Sequence, residues 1–133
     1  LQLKDLKGKV VMLDFWGVWC GPCIRSIPKL NELHEKYADQ GLVIIGVCHH
    51  RQVERMADVA AEHGIKYALC ADDKQEMGAA YKVNGYPDYY FIDRSGRLRI
   101  LDCQNRHIES AIQMLLAEPD PTAGAKRTAA SGH

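Results

Sequence analysis

The chain has 133 residues, 47% of them apolar and 26% charged, and its 17 basic side chains balance 17 acidic ones. That length can bury a core within one domain without needing cross-links. The charge balance removes the composition-level case for nucleic acid or an anionic membrane surface as partner. No apolar run approaches the ~20 residues of a membrane span.

In chain order, GKVVMLDFW reads as a buried strand over residues 9–16. Ile24, Ile27, Leu30, Leu33 and Tyr37 then recur at helical spacing, with Gly41 as the stop and Pro28 expected to kink the helix. LVIIGVC is a second buried strand. Val53, Met56, Ala57, Val59 and Ala60 mark a second helix ending near Gly64. IKYALCA predicts a third strand, and DDKQEMGAAYKV a short helix opened by an Asp cap. DYYFI, the turn DRSG and RLRILDC predict a hairpin, followed by a last helix carrying Ile108, Ala111, Ile112 and Leu115. Strands alternating with helices and closing on a hairpin predict an α/β fold with a mixed sheet. From residue 118 the sequence EPDPTAGAKRTAASGH loses its apolar period. The expectation is one domain over residues 1–117 and a disordered tail over 118–133.

The stretch with chemical content is FWGVWCGPCIRSIP. Cys20 falls where a buried strand gives way to a helix, at the strand's carboxyl end, where α/β sheets place their chemistry. The free N–H groups and macrodipole of a helix N-terminus favour a thiolate, the attacking species in disulfide exchange. Cys23 lies one turn further on, within reach of Cys20, and is expected to be the more buried. Cys20 then reads as the nucleophile and Cys23 as the resolving thiol. Pro22 suits a first helical turn, and Gly21 permits close approach of another backbone. Two alternatives stand beside this reading. One is a pair of inert core thiols. The other is a copper or zinc site using Cys20 and Cys23 with a histidine of the Cys48-His49-His50 run. Otherwise His49 and His50 read as a solvated strand end, and Cys48, Cys70 and Cys103 as core, with a Cys48–Cys70 redox pair as a minor possibility.

DFWGVWCGPC resembles the active-site segment of thioredoxins. The whole layout, through AYKVNGYPDYYFIDRSGRL, resembles redoxins of the bacterial TlpA/ResA type over about residues 6–116. The resemblance implies a thioredoxin-like fold, a central mixed β-sheet flanked by helices, and a thiol–disulfide oxidoreductase using Cys20 and Cys23. It implies a cis peptide bond at Pro87, with Tyr86 and Pro87 shaping a docking groove alongside Trp19, Gly21 and Pro22. Asp14 matches the buried carboxylate of thioredoxins and is expected to relay a proton. The family often carries Glu and Asn where Ser26 and Asp14 stand, and a smaller residue at Tyr86. No organic cofactor is implied. The partners implied are protein disulfides or dithiols and an upstream thiol electron donor, with no nucleic acid. The Gly-Pro dipeptide resembles that of reducing thioredoxins, so a reductase is expected. A monomer in a bacterial extracytoplasmic compartment, periplasmic or membrane-anchored, completes the expectation, with the cytoplasm as the alternative that the three spare thiols favour.

Overall fold

The computed structural model describes residues 3–122. Its centre is strand β1 (Val10–Trp16), whose seven residues are all buried. β2 (Leu42–His49) and β3 (Ala68–Asp72) run parallel to it on one side. On the other side β4 (Asp88–Ile92) and β5 (Leu98–Cys103) are antiparallel, giving the order β3-β2-β1-β4-β5. The mixed sheet expected from the sequence is present, with parallel crossovers first and a hairpin last.

A strand buried on both faces must carry two sets of apolar side chains, and β1 does. Val10 and Met12 join Leu30, Leu33, Ile108, Ile112 and Leu115 in one core cluster. These come from helices α1 (Gly21–Tyr37) and α4 (Ile108–Leu116). Val11, Leu13 and Phe15 face the opposite way, packing with Ile45, Val47 and Tyr90. Met77 and Tyr81 pack against that cluster from α3 (Glu76–Ala80) and the residue after it.

The punctuation residues act as their chemistry predicts. Gly41 holds a left-handed φ of 112° between α1 and β2, and Gly64 one of 66° after α2 (Met56–His63). The hairpin turn is tied by Asp93, whose carboxylate accepts from the backbone N–H groups of Ser95 and Arg97. Arg94 donates to the carbonyls of Gly8, Gln40 and Leu116, joining three chain segments at the end of the sheet opposite Cys20.

α1 runs through Pro28 as one helix of 17 residues, spanning the apolar positions read from the sequence. One local expectation needs correction. The third helix-forming stretch shrinks to the five residues of α3. Its Asp cap acts at longer range than a standard cap, with Asp72 on β3 accepting from the N–H groups of Met77 and Gly78. Of the expected tail, residues 123–133 lie outside the described residues. Within them, Glu118 forms a two-pronged ion pair with Arg99.

Leu33 is fully buried between α1 and the sheet. Leu33→Ala is expected to cost about 3 kcal/mol of stability, read as a lower urea midpoint with an unchanged denaturant slope.

Candidate active site

β1 ends at Trp16, and the chain turns at once into α1. The N–H of Cys20 donates to the carbonyl of Gly17 at 3.1 Å, and that of Ile24 to the carbonyl of Cys20 at 3.1 Å, the latter opening the helix. Cys20 is therefore the N-cap of α1. Its sulfur accepts the N–H of Cys23 at 3.2 Å, and Pro22 occupies the first turn without losing a helical bond. An N–H aimed at the sulfur, with no acidic side chain in that first turn, is the arrangement that stabilises a thiolate. Cys20 and Cys23 are joined by a disulfide, with their Cα atoms 5.2 Å apart.

Burial departs from expectation. Cys20 is 4% exposed and Cys23 3%, so neither is the open member of the bonded pair. Both belong to a buried cluster with Trp16, Val18, Cys48 and Val59, and Tyr86 packs against it. The Tyr86–Pro87 bond is cis, and both residues are half-buried beside this cluster. Trp19 is 36% exposed. Its indole lies across Gly17, where a β-carbon would stand 2.6 Å from the ring, so only glycine permits that placement.

The ring system at this end includes a residue whose place sequence reasoning did not give. His49, at the end of β2, has its ring centroid 5.5 Å from Trp19 and 5.3 Å from Tyr86. Trp19 and Tyr86 are themselves 5.5 Å apart, and all three contacts are edge-to-face. The Arg51 N–H donates to His49 Nδ1 at 3.0 Å, and burial, with His50 beside it, holds the imidazole below its ordinary pKa. His49 is thus packed into the ring system rather than left as a free strand end. Among the described residues no three His, Cys, Asp or Glu side chains converge in a way that could hold a metal ion, which leaves the copper or zinc alternative without a donor set. The signal for His49 was the parallel register that pairs Trp16 with Cys48 and so sets the next residue level with the Gly17–Trp19 turn. That register is not readable from one sequence.

These features stand beside clear relatives. The family model described as "AhpC/TSA family" matches residues 1–100. The chain belongs to this family. The chain is 36% identical over 98 residues to the thiol-disulfide oxidoreductase ResA of Bacillus thuringiensis (strain Al Hakam), covering 74% of this chain and 57% of that protein. To ResA of Geobacillus kaustophilus it is 32% identical over 116 residues, covering 82% and 67%. It thus spans little more than half the length of the Bacillus relative. A solved structure of a thiol:disulfide interchange protein DsbE from Chlorobium tepidum superposes with a TM-score of 0.77 at 30% identity, covering 88% of this chain and 84% of that one. The thioredoxin domain of a Bacteroides vulgatus thiol-disulfide oxidoreductase shares the fold, with a TM-score of 0.78 at 24% identity over 87% and 85% of the two chains. The resemblance read from the sequence and the thioredoxin-like fold both hold.

In this AhpC/TSA-family chain Asp14 is 3% exposed. It shares a face of β1 with Met12 in the helix-covered core and with Trp16 in the cysteine cluster, and lies between them. Burial raises its pKa from an ordinary 3.8 to about 7. Tyr89 sits directly opposite on β4, and burial together with the Asp14 carboxylate pushes its phenol up to about 12. The remaining thiols are kept apart. Parallel pairing sets Val47 opposite Cys70 and Cys48 opposite Ala71, so Cys48 and Cys70 point to opposite faces of the sheet. The Cys48–Cys70 pair is therefore excluded. Burial pushes the Cys48 thiol up to about 11.

Asp14 holds its proton in the folded state up to about pH 7, whereas the unfolded chain releases it near the ordinary value. Its contribution to stability therefore falls as pH rises through that window. Asp14→Asn is expected to exceed the parent in stability by on the order of 3 kcal/mol at about pH 8, with the gap closing toward pH 4. Urea melts of the oxidised proteins across that range check it.

Proposed function

We propose that the chain is a thiol–disulfide oxidoreductase domain that exchanges two electrons with protein cysteines through Cys20 and Cys23. The observation that carries this reading is the disulfide at the N-terminus of α1, with the Cys20 sulfur accepting a helix N–H. The ResA relatives, named as thiol-disulfide oxidoreductases, support it.

In the reducing direction the Cys20 thiolate attacks one sulfur of a substrate disulfide. That bond breaks, and the other substrate sulfur leaves as a thiolate that takes up a proton. Cys23 then loses its proton and attacks the Cys20 sulfur, releasing the second substrate thiol and leaving the Cys20–Cys23 disulfide. The dithiol loses two electrons and two protons, and the substrate gains them. Asp14, with a pKa near neutrality on the face below the pair, acts as the proton acceptor for Cys23. Trp19 with Gly21 and Pro22 of the first turn of α1 on one side, and Tyr86 and Pro87 on the other, form the surface against which the substrate docks. The Gly-Pro dipeptide favours a reductase supplied by an upstream thiol donor. The resemblance to TlpA/ResA-type redoxins supports an extracytoplasmic site of action as a monomer.

A redox titration with thiol counting by mass tests the reading. Two thiols, Cys20 and Cys23, are expected to titrate together near about −270 mV, while Cys48 stays reduced. A midpoint near about −120 mV would reverse the direction, and absence of the pair at every poise would end the enzyme reading. Cys20→Ser is expected to abolish reduction of insulin. Cys23→Ser should accumulate mixed disulfides with it, visible on a non-reducing gel.

A further inference from the structure

The chain is neutral as a whole, but its charges are not evenly partnered. Lys29 and Lys36 pair with Glu109, Lys66 with Glu35, and Arg99 with Asp93 and Glu118. Arg25 and Arg51 are in no ion pair among the described residues, and both stand at the redox end. A guanidinium nitrogen of Arg25 lies 3.2 Å from where a β-carbon on Gly21 would be. The Arg51 guanidinium sits 5.6 Å from the Trp19 ring. One cation therefore flanks the residue before Cys20, and another the residue after it. His49 stands beside Trp19 as well, with the His50 ring 4.2 Å beyond it.

Asp72 acts on His49 and Tyr86, but no carboxylate pairs with either arginine among the described residues. Asp72 is buried, and its two oxygens accept from the N–H groups of Met77 and Gly78. Glu54 and Asp58 form no ion pair with either arginine. What remains is an aromatic centre of Trp19, His49 and Tyr86 bracketed by two guanidinium groups. Aromatic and arginine side chains are the groups that dominate protein interfaces, and guanidinium recognises carboxylate through paired, charge-assisted hydrogen bonds.

We infer that the redox face docks an acidic partner segment, a polypeptide whose reactive cysteine is flanked by Asp or Glu, with Arg25 and Arg51 reading the flanking carboxylates. This rests on the oxidoreductase reading and adds the class of substrate. The aromatic centre supplies apolar contact common to any polypeptide, and the arginines discriminate between partners. Opposite charges speed encounter, and like charges on a basic segment oppose it.

The test uses the reduced protein, with dithiothreitol as the regenerating dithiol, and three substrates. Two are peptides of equal length with one internal disulfide, flanked by Glu in one and by Lys in the other. The third is uncharged hydroxyethyl disulfide. The Glu peptide is expected to show a kcat/KM about tenfold above the Lys peptide at low salt, with the ratio falling toward one as salt approaches roughly 0.5 M. The double variant Arg25→Glu/Arg51→Glu should invert the ratio, and Arg25→Gln/Arg51→Gln should bring it to one, each normalised to its own rate with hydroxyethyl disulfide. Equal rates for the two peptides, or a faster Lys peptide, with hydroxyethyl disulfide still reduced, would overturn the acidic-partner inference alone. Failure to reduce any of the three would overturn the oxidoreductase reading and this inference with it.

Discussion

Everything at the redox end depends on the placement of β1. Among the described residues it is the one strand hydrogen-bonded to a parallel neighbour on one side and an antiparallel neighbour on the other, and it is buried along its whole length. Its register with β2 brings His49 level with the turn that carries Trp19, and its register with β4 sets Tyr89 against Asp14. Because only four residues separate the end of β1 from the start of α1, the same strand also fixes where the helix N-terminus meets the Cys20 sulfur. Packing on both faces leaves β1 no freedom to slide, since a one-residue slip would exchange its two apolar sets.

Asp14 is the cost of that arrangement. Six of the seven residues of β1 are apolar, and the seventh is a carboxyl group with its ionised form disfavoured by burial. A residue chosen only for packing would not be acidic there. A pKa near neutrality is also what lets a carboxyl group take up and release a proton under working conditions. In the proposed reaction, stability and proton transfer would thus pull on the same atom in opposite directions.

Much of this was legible in the sequence, and the limits have physical causes. Strand and helix order followed from the apolar periods, because β1 and α1 bury strongly patterned faces. The cysteine pair announced itself through Trp19, Gly21 and Pro22. The shortness of α3 was not legible, because its start is set by Asp72 on β3, which accepts from the N–H groups of Met77 and Gly78. The equal burial of Cys20 and Cys23 was hidden as well. It comes from Tyr86, Val59 and Cys48, which lie far away in the chain. His49 escaped for the same reason. Its neighbours are set by strand register and loop approach, which one sequence does not encode locally.

The separation of the thiols has a further consequence. A protein with five cysteines risks scrambling when it meets an oxidant, because each thiolate can attack any disulfide it reaches. Here the sheet acts as a partition. Cys70 sits on the face away from the pair, and Cys48, on the same face as the pair, is held in the protonated and inert form by burial. Cys103 lies out on β5, the strand at the sheet's far edge. Neither Cys48 nor Cys70 can then divert the disulfide from its place, so the covalent bookkeeping of repeated turnover is protected by the pleat of a strand rather than by any accessory residue.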